Sequence, residues 1–154
     1  MRVDLAAIEA AFLPVLKLPM LRAGWAGDVA WFSFGGPVRR PSHRGGERLV
    51  GEYALHLGSG WRWITDSGLV RADENSSRDE LAVLGRDGPR LDTITAFGNG
   101  GLTLRFVSGE QLEVSGESEE EEEESEYWRL FQPGLQTPHL VVSNSGADWH
   151  EANP

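Results

Sequence analysis

The sequence holds no cysteine, a single lysine, and no basic residue at all between positions 110 and 126. Without cysteine there is no disulfide, no thiolate metal site and no thiol nucleophile. No stretch approaches the roughly eighteen consecutive apolar residues of a membrane-spanning helix. The opening Met1-Arg2-Val3-Asp4 leads into no uninterrupted apolar run, because Asp4 and Glu9 intervene; no secretory signal is expected, and a cytoplasmic location is. Catalytic signatures are missing as well. There is no His-Glu-x-x-His run and no Gly-x-Ser-x-Gly elbow, and Gly58-Ser59-Gly60 and Gly98-Asn99-Gly100-Gly101 miss the Walker and dinucleotide spacings and read as turns. His43, His56, His139 and His150 stand at no metal-ligand spacing. Neither a metal nor a cofactor is expected.

What is present is one concentrated charge. The 154 residues carry 24 acids against 14 bases, a net charge of −10. Ten of the acids, Glu110, Glu113, Glu117, Glu119, Glu120, Glu121, Glu122, Glu123, Glu124 and Glu126, fall within seventeen residues. Outside that window 14 acids face 14 bases, so the body of the protein is neutral. Six consecutive glutamates repel one another and offer no apolar face, so residues 116–126 are expected to be a solvated loop. Two readings of it stand side by side: an inert insertion in a tolerant connection, or a negative lobe that speeds encounter with a basic partner.

Hydrophobic periodicity predicts an α+β domain spanning residues 1–154, with one N-terminal helix packed on a mostly antiparallel sheet of about eight strands. Asp4 caps a helix in which Leu5, Ile8 and Phe12 share a face, and Pro14 and Pro19 limit its length. Beyond it the pattern shortens to alternations punctuated by glycine. Strands are expected at 29–34, 53–57 and 61–65. A meander follows over 91–97, 102–107 and 111–115, and two last strands lie at 127–131 and 139–143. Residues 71–78 read as loop, 79–84 as one helical turn, 35–48 as a Pro- and Gly-rich connection, and 145–154 as a flexible tail.

Arg39, Arg40, Arg44 and Arg48 crowd the 35–48 connection with His43. Nucleic-acid readers interleave such bases with aromatics or set them on a helix, and neither pattern is present, so nucleic acid is not an expected partner. The cluster can instead face the glutamates. His56, with Glu52 four residues before it on the same strand face and Asp66 within reach of a hairpin, fits a general base with an orienting carboxylate, and fits an ordinary polar strand face equally. Trp61 and Trp63 share one sheet face, so Glu52, His56, Trp61 and Trp63 form the candidate small-ligand pocket. Most of the six tryptophans belong to a core. Trp149, in Asp148-Trp149-His150-Glu151, is the expected exposed anchor for a partner.

Two stretches, Glu52-Tyr53-Ala54-Leu55-His56 before a Trp-rich strand and Glu126-Tyr127-Trp128-Arg129-Leu130-Phe131 leading to His139-Leu140-Val141-Val142, resemble small β-rich bacterial proteins of unknown function, a type that includes immunity proteins of polymorphic toxin systems. The resemblance covers the central and C-terminal two thirds and transfers no functional residues. It implies a non-enzymatic protein that covers the active site of a cognate toxin. An acidic inhibitor suits a basic cleft such as that of a nuclease, a deaminase or an NAD-consuming enzyme. On this expectation the contact residues are Glu117, Glu119 to Glu124, Glu126 and Trp149. The competing expectation is an enzyme or ligand binder using the pocket around His56.

Overall fold

A computed structural model describes residues 4–42, 44–116 and 125–151. Most of the expected glutamate contacts, Glu117 and Glu119 to Glu124, lie outside the described residues, as does His43. The described residues form thirteen strands and two α-helices in place of about eight strands and one helix. They begin with α1 (Leu5–Phe12), a short 3-10 turn (Leu13–Val15), β1 (Met20–Ala26), β2 (Val29–Phe34), β3 (Val38–Pro41), β4 (Glu47–Val50), β5 (Tyr53–Leu57) and β6 (Trp61–Ile64). There follow β7 (Val70–Asp73), α2 (Arg78–Leu84), β8 (Leu91–Ala96), β9 (Leu102–Phe106), β10 (Gln111–Val114), β11 (Glu126–Phe131), β12 (His139–Ser143) and β13 (Gly146–His150).

The strands make two large antiparallel sheets, not one. A six-stranded sheet runs β1-β2-β5-β11-β12-β13 and a five-stranded sheet runs β7-β6-β10-β9-β8, while β3 and β4 pair as a separate hairpin. Alternation supplies each large sheet with one apolar face, and the two faces close over a single core. Phe32 of β2 meets Trp61 edge-on at 5.5 Å and stacks with Trp63 at 6.3 Å, and Phe34 stacks on Phe106 at 6.5 Å. The expected meander is present, with Leu102, Leu104, Phe106, Leu112 and Val114 all buried.

Asp4 caps α1 by accepting a hydrogen bond from the Ala7 amide at 3.1 Å. Ile8 and Phe12 are fully buried, and the Phe12 ring lies 5.8 Å from that of Trp128. Leu5, on the first turn, is 38% exposed and lies at the margin of the core. The second helix is longer than the single turn expected. Ser77 and Glu80 form a reciprocal capping box, and Leu81 and Leu84 pack into the core.

Four segments depart from expectation for physical reasons. Residues 71–78 are not all loop: β7 pairs with β6 through backbone bonds that its polar side chains leave unannounced. The 35–48 connection contains the β3–β4 hairpin, whose arginines carry no hydrophobic alternation. β1, where no strand is expected from the sequence, carries Gly24 and Arg22 in its middle and pairs with β2 along its length. The expected tail is an edge strand from Gly146 to His150, in register with β12 so that Leu140 faces Trp149 and Val142 faces Ala147. No helix among the described residues is long and apolar enough to cross a membrane.

Candidate functional site

Strand register sets the outward face of the six-stranded sheet. Trp31 of β2 lies opposite His56 of β5, His56 opposite Arg129 of β11, and Arg129 opposite Val141 of β12. On the next rung Ala54 faces Phe131. His139 lies opposite His150 of β13. The Phe131 ring meets His56 edge-on at 4.7 Å and stacks on His139 at 4.3 Å, giving a continuous His56–Phe131–His139 ladder.

One arginine ties this ladder together. Arg129 donates to Glu126 through Nε (2.9 Å) and Nη2 (2.5 Å), and its Nη1 lies 3.0 Å from His139 Nδ1. A guanidinium only donates, so His139 accepts at Nδ1 and its neutral ring carries the proton on Nε2. Burial, followed by the Arg129 charge, pushes both His56 and His139 below the ordinary histidine range. The Arg129 hydrogen bonds hold the Glu126 carboxyl below the usual carboxylate range. The two imidazoles are thus neutral at pH 7. Their ring and guanidinium contacts are not those of a base paired with a nucleophile.

The expected pocket of Glu52, His56, Trp61 and Trp63 does not assemble. Trp63 is fully enclosed and Trp61 nearly so, both on the core side of the five-stranded sheet, whereas His56 projects from the far side of the other sheet. Trp63 Nε1 donates to Glu110 at 2.8 Å. The Glu52 carboxylate lies against Gly35, and Asp66 lies beside Gly109 at the turn between β9 and β10, so neither orients His56. Sequence spacing alone puts 61 and 63 on one face without saying which face is buried.

A cleft of about 460 Å³ opens between the β3–β4 hairpin and the outward face, lined by Arg22, Trp31, Arg48, Leu49, His56 and Phe131 among others. Trp31 lies over Gly24, where an added Cβ would come within 2.7 Å of its Cζ2. A smaller hollow of about 300 Å³ shares Arg48 and Phe131 with it and reaches His139. Trp31, Phe131 and the hairpin arginines were not assembled by sequence reasoning, although Arg129 two residues before Phe131 and the crowding of arginines in 39–48 are the signals that point there.

A second feature lies at the edge strand. Trp149 is 55% exposed and walls an apolar groove of about 490 Å³ with Ala7, Ala10, Ala11, Pro14 and Pro138. The turn between β12 and β13 is held to the residue that follows the glutamate run: Ser125 donates to Asn144 Oδ1 and Asn144 to the Ser125 carbonyl, each at 3.0 Å. The described acids of the 110–126 window are neutralised locally. Glu110 pairs with Arg71 (3.2 Å), Glu113 with Arg62 (2.6 Å) and Glu126 with Arg129. Among the described residues no group of three or more acidic or histidine side chains is placed to hold a metal ion. Comparison with family models, curated proteins and solved structures finds no match.

Proposed function

We propose that the protein is a non-enzymatic binding protein, most concretely an immunity protein that neutralises a bacterial toxin by covering its active site. The observation that carries this reading is that one hairpin, β12–β13, joins an exposed tryptophan on an open sheet edge to the end of the glutamate run. A half-exposed Trp beside an apolar groove is the kind of anchor that dominates protein interfaces. Glu110, Glu113 and Glu126 are each paired with an arginine, and by sequence the window holds seven further acids, Glu117 and Glu119 to Glu124. Charge of one sign beside an apolar anchor suits a partner with a basic cleft, for which complementary potential gives rapid and specific encounter. Nuclease, deaminase and NAD-consuming toxins present such clefts.

The test is co-expression with the product of whichever reading frame adjoins its gene, read by growth and by co-purification. Protection of growth and a stable complex are expected; no complex and no protection overturn the proposal. Within the complex, Trp149→Ala is expected to speed dissociation, and replacing Glu119 to Glu124 by Ser and Gly to slow association and flatten its salt dependence.

A further inference from the structure

The guanidinium groups around the β3–β4 hairpin differ from those of three arginines elsewhere in the fold. Arg62, Arg71 and Arg129 each have a carboxylate partner. Among the described residues, no carboxylate pairs with Arg22, Arg40 or Arg48. Arg40 and Arg48 stand directly opposite one another across β3 and β4, a like-charge cross-strand pair that disfavours the hairpin. Arg40 Nε is buried without any hydrogen-bond partner, and its Cβ lies against Gly134, in the loop that closes the smaller hollow. Arg22 reaches the hairpin from β1, where its Nη2 lies 3.4 Å from the Leu49 carbonyl. Arg22 and Arg48 line the cleft with no acid beside them among the described residues, and Arg40 faces Arg48 across the hairpin; an anion in the cleft completes the hydrogen bonding of the two lining guanidiniums and offsets the repulsion between the facing pair.

The remaining walls narrow the class of anion. Trp31 and Phe131 both line the cleft and are only partly buried. No acidic side chain is among the described lining residues. The ring of His56 stands edge-on to Phe131 and, neutral at pH 7, offers a hydrogen bond without adding charge. The volume of about 460 Å³ lies in the range of small-molecule sites. A bare phosphate fills only the guanidinium end and leaves both aromatic walls wet, whereas a planar ring bearing a phosphate or carboxylate covers the rings and reaches the arginines at once.

We infer that the cleft between the β3–β4 hairpin and the outward face of the six-stranded sheet is a binding site for a planar aromatic anion, held by Arg22 and Arg48 at its charge and by Trp31 and Phe131 at its ring. This site shares Phe131 with the Trp149 groove but not Trp31 or the arginines, so Arg48→Gln tests it independently of the protein-binding reading.

The experiment is calorimetric titration of the full chain with adenosine 5′-monophosphate and with indole-3-acetate, which separate phosphate from carboxylate as the anionic group. Adenosine, indole and inorganic phosphate serve as controls. At least one aromatic anion is expected to bind at least about tenfold more tightly than its neutral counterpart and than inorganic phosphate, a difference typical of a charge-assisted pair. Arg48→Gln is expected to weaken that binding about tenfold and, by relieving the facing charges, to leave the melting temperature of the free protein unchanged or higher. Phe131→Leu keeps an apolar side chain and is expected to weaken the aromatic anion while leaving inorganic phosphate unaffected. The proposal is overturned if neither aromatic anion binds at millimolar concentration, if inorganic phosphate binds as well as either, or if Arg48→Gln lowers stability without changing affinity.

Discussion

The five-stranded sheet turns Arg62, Thr95, Arg105 and Glu113 outward, and the six-stranded sheet turns Trp31, His56, Arg129, Phe131 and His139 outward. On the first face each guanidinium is satisfied by its cross-strand neighbourhood: Arg62 by Glu113 at 2.6 Å and Arg105 by Thr95 at 2.8 Å. The hollow of about 620 Å³ on this side has Arg62 already paired with Glu113 and two further acids, Asp73 and Glu74, in its wall, so it offers no unpaired cation. On the second face aromatic and imidazole rings cover one another, a hairpin arches above them, and the arginines it brings have no acids among the described residues. Wetting a sheet needs only short neutralising pairs. Cations without acid partners beside half-buried rings leave donors and ring faces for a ligand to meet, and that difference separates a binding face from a merely solvated one.

The largest effect that bears on this contrast comes from comparing neighbouring residues on the two sides of β2. Phe32 is fully buried between the sheets, whereas Trp31 is half-buried on the outward side. Phe32→Ala is expected to lower the unfolding free energy by about 3–5 kcal/mol, the usual result of emptying an aromatic core position. Trp31→Ala is expected to cost about 1 kcal/mol, as for a side chain that keeps one side in water. Urea unfolding of both variants checks the pair. Equal losses would make the outward face a second core and would remove it as a binding surface.

The same contrast explains how far the sequence could be read. β2, β5, β9, β10, β11 and β12 were legible because their core faces are alternating apolar residues, such as Leu102, Leu104 and Phe106. β3 and β4 were not, since their side chains meet solvent and a cleft and so need no apolar period. β13 hides behind Asp148 and His150, although Ala147 and Trp149 supply its alternation. Trp149 was identifiable as exposed from the charges around it. The cleft was not identifiable, because it joins residues 22, 31, 48, 56 and 131, which only the strand order brings together. Trp61 and Trp63 misled for the complementary reason: a shared face says nothing about whether that face is wet, and theirs is the core.

A smaller effect follows from acid. The folded pKa values of His56 and His139 lie below those of the unfolded chain, so the unfolded state takes up protons first. Stability is therefore fully present above the unfolded value near 6.5 and falls as pH drops from there through the folded values. The lowered Glu126 pKa adds a second loss as pH drops from the ordinary carboxylate range through its folded value. Thermal unfolding between pH 7.5 and 5 is expected to show a declining melting temperature that flattens in the double variant His56→Gln, His139→Gln. An unchanged slope in that variant would assign the acid sensitivity elsewhere and detach the ladder from the fold's energetics.

The smallest expected effect discriminates the two faces most directly, since it compares like with like. Arg62–Glu113 is an exposed ion pair on the five-stranded sheet, and Arg129–Glu126 is a two-bonded pair that is more enclosed and also touches His139. A double-mutant cycle on the first is expected to give about 0.2–0.5 kcal/mol and to vanish in high salt, because solvent screens it and two long side chains lose freedom in making it. The second is expected to give about 1 kcal/mol and to resist salt, because its geometry is bidentate and partly shielded. Its coupling should also depend on His139, weakening in the His139→Phe background, where Arg129 loses its third contact. Equal, salt-sensitive couplings for both pairs would mean that Arg129 is one more surface arginine. The outward face of the six-stranded sheet would then differ from its counterpart only in its rings and in the unpaired arginines above them.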